Sequence, residues 1–374
     1  MVFSRLFANE SVLGVDIGSS SIKIVQAEPA RHGAMITQVA TCPTPLNAVK
    51  EGVILDVPAV AAAVQFAMRS AGIKASNGVA AIAGPGVIVR HVQLPVMSEK
   101  ILRKSIRFEA GKYIASSIED SIVEFEILGN IPDSDQMNVL LVAAPRAMIE
   151  SRVSVLEQAG LEPLVIDVEV FATLRSIVKQ SSDNTCPDST IALLDIGASH
   201  TDINLISNGN LALTRTIPIA GTSFTNAIKN AENCSEEEAE QRKHALDLTE
   251  LVDLPPGATG DQSLRAVQSL LDELLREIRR SINYYQSQLP DGAADTTVDR
   301  IILTGGTARF KGLIPYTASR LNVQVEIGGP VQSKEVSLTP DESGVEQGDI
   351  PVLNVAFGLA IREMSAAAKL AAAA

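Results

Sequence analysis

Val15-Asp16-Ile17-Gly18-Ser19-Ser20-Ser21-Ile22-Lys23 decides the reading of this 374-residue chain, because Leu194-Asp195-Ile196-Gly197-Ala198-Ser199-His200-Thr201-Asp202 repeats its plan in the second half. In each copy an apolar run of β character ends in Asp-Ile-Gly, a small polar turn follows, and a second β run begins at Ile24 or Ile203. Each copy is therefore predicted as a tight β-hairpin. Gly18 and Gly197 permit positive φ and let backbone N–H groups come close to an anion such as phosphate. Asp16 and Asp195 cannot take phosphate directly. They can hold a hydrated Mg²⁺, which accepts one or two carboxylates and keeps several waters. One Asp-x-Gly turn alone reads as an ordinary turn, with Asp bonding the backbone. The doubling argues for function instead, as does a third element, Ile301-Ile302-Leu303-Thr304-Gly305-Gly306-Thr307. There Gly305 and Gly306 are expected to pass close to a ribose or an α-phosphate.

Composition sets the frame. A chain of 374 residues with 46% hydrophobic content has more than enough apolar material for two cores. No run of about eighteen apolar residues occurs and no apolar signal core opens the chain, so neither a membrane span nor export is expected. Cys42, Cys186 and Cys234 have no metal-type spacing and suit a reducing, cytoplasmic compartment. A net charge of −13 without a compensating basic block argues against nucleic-acid partners.

Read in order, the apolar Val2, Phe3, Leu6 and Phe7 have the spacing of a helical stripe but read better as a frayed terminus, and three β runs follow from Ser11 to about Thr41. A helix starts near Pro58 and stops at Gly72, and Val79 to Ala83 is a buried strand. Gly84-Pro85-Gly86 then breaks the pattern, and residues 87–162 read as an inserted βαββα unit with a hairpin loop at 130–136. A strand at Leu164 to Asp167, a helix at Glu169 to Gln180 and a polar linker at 181–189 lead into the second hairpin. Ser235 and Glu238 form a capping box. Residues 262–288 form a long amphipathic helix whose Leu264, Val267, Leu271, Leu274, Leu275 and Ile278 face a core. Residues 332–349 read as a polar, acidic loop, 354–362 as a closely packed helix, and 366–374 as a disordered, low-complexity tail.

Two Asp-x-Gly hairpins followed by a late Gly-Gly resemble the actin-like ATPase superfamily. The position and plan of the insert resemble its FtsA branch. Val89-Arg90-His91-Val92-Gln93-Leu94-Pro95, Glu109-Ala110 with Tyr113-Ile114, Ala159-Gly160-Leu161-Glu162-Pro163 with Ile166-Asp167, and Phe357 to Arg362 resemble the PilM family of type IV pilus assembly proteins across nearly the whole chain. The resemblance implies an α/β, actin-like (duplicated ribonuclease H-like) two-domain fold over an ATP cleft, with a small FtsA-like insert. In those terms the first subdomain spans 11–86, completed by 163–189 and 350–365, and the insert spans 87–162. The second core spans 190–225, completed by 298–349, and a helical nucleotide-capping subdomain spans 226–297.

The same resemblance makes Asp16, Gly18, Ser19, Ser20, Ser21 and Lys23 one phosphate loop and Asp195, Gly197, Ala198, Ser199 and His200 the other. Gly305, Gly306 and Thr307 lie near the nucleoside, and Glu240 and Lys243 contact ribose and adenine. ATP and Mg are the implied cofactors. Ala198-Ser199-His200 stands where relatives have a glycine run, so at most slow hydrolysis is expected, with Asp167 or Glu169 orienting water. The implied partner is the N-terminal cytoplasmic tail of PilN, with other inner-membrane pilus assembly proteins, placing the chain peripherally at the inner membrane. Val89, Arg90 and Leu94 border the expected partner groove. The alternatives are a small-molecule kinase of the same superfamily and an FtsA-like cell-division protein.

Overall fold

The computed structural model describes residues 11–30, 33–114, 117–177, 189–255, 260–289, 297–329, 336–338 and 347–362. The N-terminal apolar stripe, the linker at 181–188 and the tail at 366–374 lie outside the described residues.

The first half opens with a meander, β1 (Val12–Ile17), β2 (Ser21–Ala30) and β3 (Gly33–Pro43). A small hairpin, β4 (Val49–Lys50) and β5 (Val53–Ile54), leads to α1 (Val57–Ser70). Asp56 caps α1 by accepting from the Ala59 amide at 3.0 Å, and Pro58 occupies its first turn. Then β6 (Asn77–Ile82) returns parallel to β1. All six residues of β1 are buried, which is why the strand reads as a continuous apolar run rather than an alternating one.

The insert contributes β7 (Ile88–Pro95), α2 (Glu99–Ala110), β8 (Ser121–Asn130) and β9 (Gln136–Pro145) in a three-stranded sheet of order β7-β9-β8. Next come α3 (Arg146–Gln158), β10 (Glu162–Val168) and α4 (Glu169–Ile177). The expected βαββα unit is corrected at its last helix. Val155 and Leu156 of α3 are buried with Val60 and Val64 of α1 in the core of the first sheet. The physical reason is topological: β6 and β10 pair in parallel, so a crossover helix must join them, and α3 is that helix.

The second half repeats the plan. Its strands are β11 (Thr190–Ile196), β12 (Thr201–Ser207), β13 (Asn210–Ile217), β14 (Arg300–Thr304) and β15 (Gln324–Ile327), in the order β13-β12-β11-β14-β15. The first sheet runs β3-β2-β1-β6-β10 in the matching direction. Between β13 and β14 lie α5 (Gly221–Glu232), α6 (Glu236–Ala245) and α7 (Gln262–Ser287), and α8 (Leu313–Leu321) crosses from β14 to β15. The six apolar residues expected on the core face of α7 are all buried. Each contributes about 2 kcal/mol relative to exposure.

A second correction concerns the loop at 332–349. Within it β16 (Val336–Leu338) pairs in parallel with Ala34 to Ile36 of β3, so it extends the first sheet rather than completing the second. The pairing covers an edge that β3 would otherwise expose.

The halves meet through α4 and α9 (Asn354–Ala360). Gly358 lets α9 cross α4 at backbone contact, since a Cβ there would sit 3.0 Å from the Ala172 Cα and closer still to its carbonyl. Gly14 of β1 admits α9 from the other side, where a Cβ would lie 2.6 Å from the Ala360 nitrogen. Asn354 binds both halves: its Nδ2 donates to Thr304 Oγ1 at 2.6 Å and Gly328 O at 3.1 Å, while its Oδ1 accepts from Ser176 Oγ at 3.1 Å.

Candidate functional site

The two hairpin turns are built alike. Gly18 N donates to Ser21 O at 3.2 Å, and Gly197 N donates to His200 O at 3.1 Å. Each loop is anchored from behind through its carbonyls. Thr44 donates through Oγ1 to Gly18 O at 2.7 Å and through its amide to Ser20 O at 3.0 Å. Thr307 Oγ1 and the Gly221 amide donate to Gly197 O at 2.9 and 3.0 Å. No protein acceptor among the described residues takes the amides of Ser19, Ser20, Ala198 or Ser199. Such paired loops of free N–H groups suit an anion. Neither Gly18 nor Gly197 uses the positive φ that glycine permits. They are small because the turns are tight: a Cβ would sit 3.0 Å from Ser21 O in one and 3.1 Å from His200 O in the other.

Between the loops lies a cleft of about 1100 Å³. Every residue assigned to the phosphate loops, with Gly305, Gly306, Thr307, Glu240 and Lys243, lines it. Gly305 has φ +86, and a Cβ there would come within 2.6 Å of Ile196 O, so glycine is required by the protein's own backbone. On α6, Lys243 is buried and donates to Glu240 at 2.6 Å and to Thr225 Oγ1 at 2.8 Å. This network ties α6 to α5 and holds Glu240 below its usual carboxylate range; burial works against ionisation, but Lys243 and Thr225 outweigh it.

The hairpin register places Lys23 opposite Asp16 and Asp202 opposite Asp195. In the first copy the pair is an ion pair at 3.0 Å. Burial opposes the Lys23 charge, yet Asp16, then Glu169 and Asp195, hold the ammonium above its ordinary value. The second copy puts two acids side by side. Asp195 is pushed up to about 7, first by burial and then by Asp202 and Asp16. Glu169 rises to about 8, by burial and then by Asp16. His200, 3.4 Å from Asp202, is held at about 9; burial alone would lower it, but Asp202, Glu169 and Asp195 prevail. Four acids thus face the cleft or its floor with too little positive charge among them, and a divalent cation suits that imbalance. Among the described residues no group of three His, Cys, Asp or Glu side chains is placed to hold a metal ion.

Asp167 and Glu169 separate. Glu169 lines the cleft, whereas Asp167 is absent from its lining. Arg175 donates to Asp167 at 2.9 Å, Arg362 lies 3.2 Å from it, and its own strand occupies its second oxygen through the Val168 amide. The expectation that Asp167 orients water is therefore corrected: it is a strut between β10, α4 and the end of α9. Sequence reasoning missed Arg152 as a cleft residue and, while placing Asp202 at the end of the second phosphate loop, gave it no role of its own. For Asp202 the signal was available, since the hairpin offset that sets Lys23 against Asp16 sets Asp202 against Asp195. A single arginine on a core helix gave none.

The family profile described as type IV pilus assembly protein PilM matches residues 14–364. The chain belongs to the PilM family. Its fold aligns with a solved PilM-PilN type IV pilus biogenesis complex at a TM-score of 0.81 and 28% identity, covering 94% of this chain and 98% of that one. The cell division protein FtsA of Pseudomonas aeruginosa is 23% identical over 369 residues, covering 87% of this chain and 85% of FtsA. MreB5 of Spiroplasma citri bound to ADP aligns at a TM-score of 0.52 and 13% identity, covering 97% and 99%, which shows the actin-like fold alone. Among the described residues of this PilM-family chain, no helix is long and apolar enough to cross a membrane.

The residues expected to border a partner groove are partly corrected. Val89 is buried with Val170, Leu174 and Leu193 where the insert meets the second half, and Leu94 is buried in the insert core with Leu102 and Val139. Arg90 is exposed and lies 5.6 Å from the Tyr113 ring centroid. β7 has β9 on one side only, so its outer edge carries no strand among the described residues.

Proposed function

We propose that this PilM-family chain is an ATP-binding, actin-like scaffold of the type IV pilus assembly machinery that holds the N-terminal cytoplasmic tail of PilN at the inner membrane. One observation carries the proposal: a chain of the solved PilM-PilN complex matches over 94% of this chain and 98% of its own length. The chain would reach the inner membrane through its partners and remain peripheral to it.

ATP with Mg²⁺ fits the cleft on its donor set. The free amides of the two turns would take polyphosphate oxygens, Lys23 would add a cation, and Asp16 and Asp195 would hold a hydrated Mg²⁺. When bound, the ion supplies the positive charge that the acidic cleft lacks. Glu240 and Lys243 of α6 and the Gly305-Gly306 turn are assigned to the nucleoside. Glu169, which lines the cleft, is assigned to orient water for slow turnover.

The tail is assigned to the outer edge of β7, where an extended peptide gains main-chain hydrogen bonds and Arg90 offers charge. Fluorescence anisotropy with a labelled PilN tail peptide tests this. Saturable binding that weakens at least tenfold in Arg90→Glu, with thermal unfolding unchanged, supports it; undiminished binding moves the tail elsewhere. An FtsA-like division role has only remote FtsA similarity on its side, and a kinase role would need an acceptor site with its own general base.

A further inference from the structure

Arg152 of α3 is only 1% exposed, and among the described residues no carboxylate lies within ion-pair distance of it. Its Nε donates to Ala81 O, and its Nη1 donates to Gly52 O at 2.6 Å and to Met148 O at 3.1 Å. That uses three of the five N–H donors of a guanidinium. Nη2 meets no acceptor among the described residues, yet the side chain lines the cleft. A buried cation held only by carbonyls is costly unless a charge awaits it. Satisfying backbone alone requires no charge, whereas a planar fork with one free arm matches phosphate oxygens. The acids whose field reaches Arg152 are Glu169 and Asp16, the pair assigned to water and metal, and not Glu240 at the nucleoside end. α3 also follows β9 without a linker, so the guanidinium is rigidly joined to the insert sheet.

We propose that Arg152 is a specificity-determining residue that reads the terminal phosphate, making the cleft favour a nucleoside triphosphate over a diphosphate. This rests on the cleft being a nucleotide site. The test is calorimetric titration of the full chain with MgATP and with MgADP, for wild type, Arg152→Gln and Arg152→Lys, with thermal unfolding alongside. Arg152→Gln is expected to weaken MgATP at least tenfold and MgADP less than threefold. Arg152→Lys keeps the buried charge but spends its ammonium on the carbonyls, so the ATP-to-ADP preference falls at least threefold; it serves if the Gln variant unfolds. Folded variants that keep the wild-type ratio, or that lose both nucleotides equally, overturn the proposal. A wild type that binds neither nucleotide overturns the nucleotide reading itself.

Discussion

Asp195→Asn should make the nucleotide-free protein more stable while removing its response to MgATP. The Asp195 carboxyl moves from an ordinary 3.8 to about 7 in the fold. A shift of roughly three units corresponds to a ceiling of about 4 kcal/mol. Asp195 is half-buried on an open cleft, so solvent screening reduces the effect to about 1–2 kcal/mol. The sign follows from linkage. The folded state holds the proton more tightly than the unfolded chain, so the penalty is absent below pH 3.8, grows as pH rises, and is complete above about 7. Asparagine keeps the shape and cannot ionise. The difference in Tm between variant and wild type should therefore widen from pH 5 to pH 8, reaching about 1–3 °C in favour of the variant. Added MgATP should raise the wild-type Tm and leave the variant unmoved. Scanning fluorimetry at several pH values, with and without MgATP, reads both arms. A variant whose Tm offset is the same at pH 5 and pH 8, or that MgATP still stabilises, refutes the electrostatic account of this cleft.

Other outcomes follow from the same geometry. Glu169→Gln should lower single-turnover hydrolysis at least a hundredfold with MgATP affinity within threefold, whereas Asp167→Asn should leave turnover intact and cost about 3 kcal/mol in urea unfolding, through the loss of its two arginine partners. Gly358→Val should destabilise the chain by about 3 kcal/mol or more, because its Cβ enters the Ala172 backbone; near-wild-type urea midpoints would contradict the close crossing of α4 and α9. Gly305→Ala should lower Tm even without nucleotide, since φ +86 and contact with Ile196 O both strain it. Above pH 6.5 the nucleotide-free protein should lose stability, as His200 gives up its proton through about 9; His200→Gln should flatten that part of the curve.

Where the chain speaks locally, its sequence is legible. Asp-Ile-Gly at 16–18 and 195–197, each between apolar runs, dictates a hairpin whatever surrounds it, and the doubled sheet follows. The α7 stripe and the Ser235 capping box are equally local. What stayed hidden depends on distant partners. The alternation in β7 says that one face is buried, but not that Val89 meets the second half and Leu94 the insert core. The helix at 146–158 looks like part of the insert until β6 and β10 are seen to be parallel. The short strand at 336–338 has too little pattern to announce its pairing with β3. Asp167 and Glu169 are two residues apart in one strand-to-helix turn, yet only the three-dimensional placement of Arg175 and Arg362 tells a strut from a cleft acid.

The cleft between the two Asp-Ile-Gly hairpins is assigned to a Mg-nucleotide. Isothermal titration calorimetry of the full chain with ATP, in Mg²⁺ and then in excess EDTA, tests this most directly. The expected result is one site per chain, weakened at least tenfold by removal of the metal and abolished in the Asp16→Asn, Asp195→Asn double variant. No heat with MgATP on the folded wild type, or an affinity indifferent to both metal and the two aspartates, would contradict it.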